Sequence, residues 1–434
     1  MLYFLSRIYN SVFIRNVGIV ASGAVLAQVI SVASSPFITR LYGPKALGLL
    51  GVFIAIVEVL LPVAALTYPI SIVLPKDDKE AKNLASLSGF IAIVIAFIVA
   101  IVIMVAGEFI FSHFGAQEVS KFGLLIPLAM LFSSLLQISQ QWLIRKKKFF
   151  VTAKIEIIQA MVNSLAKIGI GLFHPTALAL IILSTIGNGI HAGMLVFNIK
   201  CKKLDLFKNS KNVNNHLYFF KLAKKYYDFP LYRAPQILIN AVSQNLPILM
   251  LSAIFSPTSA GYYVICKRVL SIPSTLIAKS FGNVFYVNIV ESAQNGRNLT
   301  KPIIEATIWL AAIGFVPFIL LIIFGPCLFG FVFGNDWVTA GEYARWLSIM
   351  MFFFFVNKPC VAAVPVLGLQ RGLLLYELFS TGAKFVAIFM GFVLFNDEKI
   401  AVALFSIFGS ISYLLLIAWV VISSRYKNAK SQTG

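Results

Sequence analysis

The sequence predicts an all-α integral membrane fold of twelve transmembrane helices in two related halves, and three observations carry that prediction. Of 434 residues, 59% are hydrophobic and only 12% are charged, at a mean hydropathy of +0.89; soluble domains run near a quarter charged. Apolar runs of about 20 residues, the length that crosses a bilayer core, recur twelve times. The third observation is a P-x-x-x-G pattern, Pro44 to Gly48 and again Pro257 to Gly261, at equivalent points of two six-span halves and 213 residues apart. A turn before a helix favours these residues anyway; their placement is what marks a repeat. An even number of spans per half relates the repeats by an axis along the membrane normal.

Taken in order, the first span runs from Asn16 to Ile38, behind a stretch in which Arg7 and Arg15 interrupt apolar residues. Its apolar run is too long for a cleavable signal, so it reads as an uncleaved targeting segment. The second covers Ala46 to Leu74, and Lys76, Lys79 and Lys82 separate it from the third, Leu84 to Gly107. The fourth, Phe122 to Ile144, and the fifth, Val151 to Phe173, flank the basic cluster Arg145 to Lys148; the sixth is Ala177 to Ile199. A polar interval then divides the chain, giving an N-lobe at 1–199, a basic cytoplasmic linker at 200–229 and a C-lobe at 230–434. Eight lysines lie between Lys200 and Lys225, with only Asp205 against them. The second half supplies Pro230 to Phe255, Ala260 to Val290, Pro302 to Phe324, Tyr343 to Leu367, Leu373 to Phe395 and Ile400 to Ser423.

Charge sets the orientation. With the N-terminus inside, 24 of the 36 Lys and Arg residues fall in cytoplasmic segments and four, Arg40, Lys45, Lys121 and Lys399, in external loops. Positive charge is retained on the cytoplasmic side, which puts both termini and the linker there. The net charge of +20 and pI of 9.8 arise from these short loops, so they point to anionic lipid and not to nucleic acid. No extramembrane interval offers room for a catalytic or nucleotide-binding domain, and no GxxxxGK[ST] phosphate cradle occurs. Cys201, Cys266, Cys327 and Cys360 lack CxxC spacing, and the four histidines form no ligand pattern. Neither metal nor cofactor is expected, and the energy for transport would come from an ion gradient, the substrate's own gradient or a partner, with H⁺ and Na⁺ both open as coupling ions.

Polar groups at membrane depth are costly and usually face a bundle interior or wet cavity. In the fifth span Thr152, Glu156, Gln159, Asn163 and Lys167 share a helical face, as do Arg233, Gln236, Asn240, Ser243 and Gln244 in the seventh. Arg268, Ser271, Thr275, Lys279 and Gly282 form a third stripe, beside Lys267, and Glu377, Ser380, Thr381 and Lys384 a fourth. Neutral members of such stripes commonly join helices, and charges near span ends snorkel to the interface. The deeper charges are the informative ones. Lys267, Arg268, Lys279, Arg345, Lys358 and Lys384 stand against Glu377 in the second half, while the first half holds Lys167 against Glu58 and Glu156. One lobe therefore has a cationic interior, which suits an anionic substrate group. The third, sixth, ninth and twelfth spans are nearly charge-free and are expected to face lipid.

The opening Asn16-Val-Gly-Ile-Val-Ala-Ser-Gly, the stretch Ile38-Thr-Arg-Leu-Tyr-Gly-Pro-Lys-Ala-Leu-Gly48 and the two-lobe layout together resemble the O-antigen flippases of bacterial surface polysaccharide synthesis, within the multidrug, oligosaccharidyl-lipid and polysaccharide exporter superfamily. The resemblance implies two pseudo-symmetric six-helix lobes around a central cavity, alternating access, residence in the bacterial inner membrane, and no enzymatic step. It implies an undecaprenyl-pyrophosphate-linked oligosaccharide as substrate, with membrane lipids and a polysaccharide polymerase as partners. Cavity cations would be Lys267, Arg268, Lys279, Lys358 and Lys384, with Arg40, Glu58, Arg233, Asn240, Gln244 and Glu377 as secondary candidates; Arg40 matches a basic family position whose role is structural. A lipid II flippase and a multidrug exporter of the same fold remain alternatives, although an exporter of cationic drugs calls for an acidic interior. A polymerase or ligase would carry a larger external loop than Gly325 to Glu342.

Overall fold

In a computed structural model, the chain is described over residues 12–113, 117–201, 216–274, 285, 289–293, 295 and 298–433. These residues form helices and turns, without a strand among them. Among the described residues the expected spans fall largely on helix, the eighth, Ala260 to Val290, being described only in part, and nine helical stretches are long and apolar enough to cross a membrane. The chain divides into two compact units, Met1–Ala253 and Ile254–Gly434.

The first unit contains α1 (Val12–Ala33), α2 (Ser35–Ala64), the single turn α3 (Tyr68–Ser71), α4 (Asp78–His113), the short α5 (Gln117–Ser120), α6 (Leu125–Arg145), α7 (Phe149–Phe173), α8 (Ala177–Cys201), α9 (His216–Lys225) and α10 (Ala234–Ile254). Within α2 the helix breaks at Gly43, with φ 70° and ψ 172°, a conformation that a Cβ would strain. Pro44 follows as the first residue of the next helical run, where its missing N–H costs nothing. Gly23 lets α1 and α7 approach: a Cβ there would stand 2.4 Å from Ala153 Cβ. Tyr42 lies over Gly171 and donates to the Lys167 carbonyl oxygen at 2.8 Å, fixing α2 on α7. The most apolar window of α2 is 61% buried, which makes it the central helix of the unit, whereas that of α4, a span expected to face lipid, is only 11% buried.

The end of this unit that carries the α3–α4 and α6–α7 turns is closed by buried apolar and ionic contacts. Trp142, Leu143, Leu84 and Leu195 meet Leu222 of α9 in one cluster. Arg145, at the negative end of α6, donates through Nη1 to the Pro75 carbonyl at 2.5 Å and pairs with Asp78 at 3.1 Å. Lys146 also bonds Asp78. Lys225 Nζ lies 2.5 Å from Glu80 Oε1, which also accepts from the Tyr226 hydroxyl at 3.1 Å. That carboxylate holds the Lys225 ammonium above the usual lysine range. Residues 216–225 of the basic interval are thus a helix docked on α4.

The second unit contains α11 (Pro257–Pro273), α12 (Thr300–Phe333), α13 (Val338–Val356), α14 (Lys358–Leu367), α15 (Gln370–Met390) and α16 (Glu398–Thr433). Pro257 opens α11, and the Ser256 hydroxyl caps it by accepting from the Ser259 N–H at 3.1 Å. A close helix crossing joins α12 to α13, where a Cβ on Gly341 would stand 2.4 Å from Pro326 Cα. The tenth expected span is two helices. Pro359 lacks an N–H and restricts the residue before it, so α13 ends at Val356 and Lys358 starts α14. The apolar windows of α8 and α16, expected to face lipid, are each 39% buried. They are drawn in because α8 packs on α6 and α7, and α16 on α13 and α15.

Candidate functional site

The second unit brings two of the expected cations together through aromatic rings. Lys358 Nζ sits 3.6 Å from the centroid of Phe354, that ring lies 5.5 Å from Tyr413, and Lys384 Nζ sits 4.6 Å from the Tyr413 centroid. The elements explain the meeting: Phe354 closes α13, Lys358 opens α14, Lys384 lies on α15 and Tyr413 on α16. Among the described residues neither ammonium reaches a carboxylate within ion-pair distance; Lys384 has only the Tyr413 hydroxyl, at 3.5 Å. A ring face stabilises a cation without cancelling its charge. Lys358 also stands at the positive end of α14, where main-chain N–H groups favour an anion. The arrangement therefore concentrates positive potential that no ion pair among the described residues cancels. Glu377, on the exposed side of α15, is the acid nearest in sequence to Lys384 and attracts it electrostatically from beyond ion-pair distance.

The remaining expected residues are placed apart. Lys267 and Arg268 lie half-buried on α11 and are engaged with other groups of the protein; Lys279 lies outside the described residues. Arg40 is exposed on α2. Arg233 is exposed and donates to Gln236 Oε1 at 2.9 Å, and Asn240 and Gln244 are exposed on α10.

The first unit holds a polar cavity of about 440 Å³ between α2, α6, α7 and α8. Glu58, Gln137, Gln140, Asn163, Lys167 and Asn188 contribute its polar wall. Glu58, Leu61, Gln137 and Gln140 also line an adjoining space of about 330 Å³, which reaches Ile237 and Ala241 on α10. Asn245 Nδ2 donates to Glu58 Oε2 at 3.0 Å, and Asn188 Nδ2 to Ser133 Oγ at 3.3 Å. Ser184 Oγ and Thr185 Oγ1 are buried without a hydrogen-bond partner. Sequence reasoning singled out Glu58, Asn163 and Lys167 but passed over Gln137, Gln140, Ser184, Thr185 and Asn188. A signal was present: Ser133, Gln137, Gln140 and Gln141 recur at helical spacing on α6. They are uncharged, so a reading weighted toward ionisable groups did not find them.

Comparison with solved structures places the fold. The chain superposes on the inward-facing conformation of a multidrug resistance MATE family transporter of the MOP superfamily with a TM-score of 0.73 at 12% identity, covering 94% of this chain and 96% of that one. On the lipid II flippase MurJ in its inward closed conformation the TM-score is 0.73 at 13% identity, over 95% and 90% of the two chains. An outward-facing conformation of a multidrug resistance MATE family transporter gives 0.62 at 12% identity, over 96% of each chain. A comparison with curated proteins gives no match. A family model described as polysaccharide biosynthesis protein matches residues 37–342, more than half the chain. With the fold of multi-pass membrane transporters rather than of a catalytic domain, the chain belongs to the polysaccharide biosynthesis protein family.

Proposed function

We propose that this protein carries an undecaprenyl-pyrophosphate-linked oligosaccharide, an O-antigen or capsule repeat unit, from the inner to the outer leaflet of the bacterial inner membrane by alternating access, without altering it. Lobes at 1–199 and 230–434, the linker at 200–229, and both termini on the cytoplasmic side belong to this reading. Membership in a polysaccharide biosynthesis family and likeness to a lipid II flippase support a lipid-linked sugar. The observation that carries the reading is the pair of lysines, Lys358 and Lys384, held on aromatic faces with no carboxylate within ion-pair distance among the described residues. Taking a diphosphate through hydrocarbon unaided costs on the order of tens of kcal/mol, and charge-assisted hydrogen bonds to ammonium groups replace the lost water. The polyprenyl tail stays in lipid. Lys267, Arg268 and Lys279 would act with them as cavity cations.

Deleting the gene is expected to remove a surface glycan and leave its lipid-linked repeat unit on the cytoplasmic face. Retained glycan with new sensitivity to cationic drugs would replace this reading with a drug exporter. The shared fold with MurJ favours one rival, lipid II transport; accumulation of lipid II with arrest of growth would select it. For topology, a cysteine at Thr258 should label from outside intact cells and one at Asn212 should not.

A further inference from the structure

We propose that the polar cavity of the first unit is a saccharide subsite, which takes an uncharged, hydroxyl-rich sugar residue of the carried glycan; this rests on the carrier reading above. Size, chemistry and charge each point to such a ligand. The cavity of about 440 Å³ and its neighbour of about 330 Å³ lie in the range of small-molecule sites. Amides and hydroxyls make up all of their polar wall but Glu58 and Lys167, and each amide or hydroxyl group offers both donors and acceptors. A sugar's adjacent hydroxyls need that combination, since each hydroxyl donates once and accepts as well. A diphosphate offers acceptors only, and a metal cation would want several converging oxygens.

The bonding capacity of this wall is not spent inside the protein. Among the described residues the side chains of Gln137, Gln140 and Asn163 make no hydrogen bond, and Ser184 Oγ and Thr185 Oγ1 are buried and unpartnered. Buried polar groups in folded proteins are normally satisfied. Here they converge from α6, α7 and α8 on one space. Gly187 preserves it: a Cβ at that position would stand 3.3 Å from Asn163 Oδ1 and press on the amide. The charges balance, with one carboxylate, Glu58, already accepting from Asn245, and one ammonium, Lys167. The anionic end of the substrate therefore has no reason to enter, and a neutral sugar does.

The test uses the full chain in nanodiscs with Cys201 and Cys327 replaced by Ser; Cys266 and Cys360 are buried and stay. A thiol introduced by Ser184→Cys reports the cavity, and Gln140→Cys is a second reporter if the first misfolds. Alkylation is timed with the repeat-unit oligosaccharide released from the strain's own glycan, and with sodium pyrophosphate. A covered thiol should react about threefold more slowly at about twice the ligand's Kd. The oligosaccharide should protect, pyrophosphate should not, and Gln137→Leu should abolish the protection. Protection by pyrophosphate, or by Na⁺ or a pH change but not by the oligosaccharide, overturns the subsite. No protection in a protein whose deletion still removes the glycan sinks the subsite and spares the carrier reading. A deletion strain that keeps its glycan removes both.

Discussion

Replacing Lys384 or Lys358 by Gln should weaken binding of the diphosphate headgroup and raise the thermal stability of the unliganded protein, two effects of opposite sense from one change. The distances that link the ammonium groups through two rings, 3.6, 5.5 and 4.6 Å, bound their separation at about 14 Å, so their repulsion is about 1 kcal/mol or more at an effective dielectric constant near 20. Desolvating an unpaired ammonium costs a further several kcal/mol, and each cation–π contact returns about 0.5–2 kcal/mol. Glutamine removes all three terms but adds the cost of burying its own amide, about 1–3 kcal/mol, so the sum favours the variant by about 1 kcal/mol. That is a rise of about 2–4 °C for a unit of this size. Binding moves the other way, because a charge-assisted hydrogen bond contributes about 1.5–3 kcal/mol, or about ten- to a hundredfold in Kd. Undecaprenyl pyrophosphate binding in nanodiscs and unfolding followed by intrinsic fluorescence read the two quantities. Tyr413→Phe, which keeps the ring and loses a hydroxyl 3.5 Å from Lys384, should change both little. Wild-type affinity with a lowered melting temperature in Lys384→Gln would show that these lysines hold the fold together and bind nothing.

Three further outcomes test the packing. Gly341→Val should lower the melting temperature, since a Cβ there meets Pro326 Cα at 2.4 Å and overpacking costs about 1–3 kcal/mol; an unchanged transition would mean that α12 and α13 are not in close contact. Arg145→Lys keeps the charge but loses the fork that reaches both the Pro75 carbonyl and Asp78. Limited proteolysis between residues 72 and 78 should therefore accelerate several-fold, and an unchanged digestion rate would count against the clamp. Lys147 is exposed with φ 53°, a conformation that costs a side-chain-bearing residue about 1–2 kcal/mol. Lys147→Gly should accordingly be stabilising in a thermal melt, and a loss of stability would show that the turn is not strained.

The spans were legible because membrane insertion is a demand on length and hydropathy, both of which are local. Gly43 and Pro44 announced a break for the same reason: a positive φ and a missing N–H are properties of single residues. Pro359 carried the same signal, yet the expected tenth span ran through it, because the apolar run on either side is unbroken from Tyr343 to Leu367 apart from a few residues. Degree of burial was less legible. The near absence of charge on α8 and α16 reads equally well as a lipid face or as a helix packed among others, and each is partly both.

Where the candidate groups converge is a tertiary fact of a different kind in each unit. Lys358 and Lys384 were visible as deep cations, but nothing in their spacing says that Phe354 and Tyr413 would stand between them. The interior of a soluble protein would pair such lysines with carboxylates; here the rings hold them with their charge intact. The cavity of the first unit reverses the logic, with its one carboxylate bonded to Asn245, one ammonium, Lys167, to balance it, and its other polar groups neutral. An acidic pocket is what a carrier of cationic drugs needs, and neither arrangement supplies one. The carrier reading proposed above assigns an anionic segment of the substrate to the first kind of group and an uncharged, hydroxylated segment to the second, so that neither set of costly buried groups is left without a chemical partner.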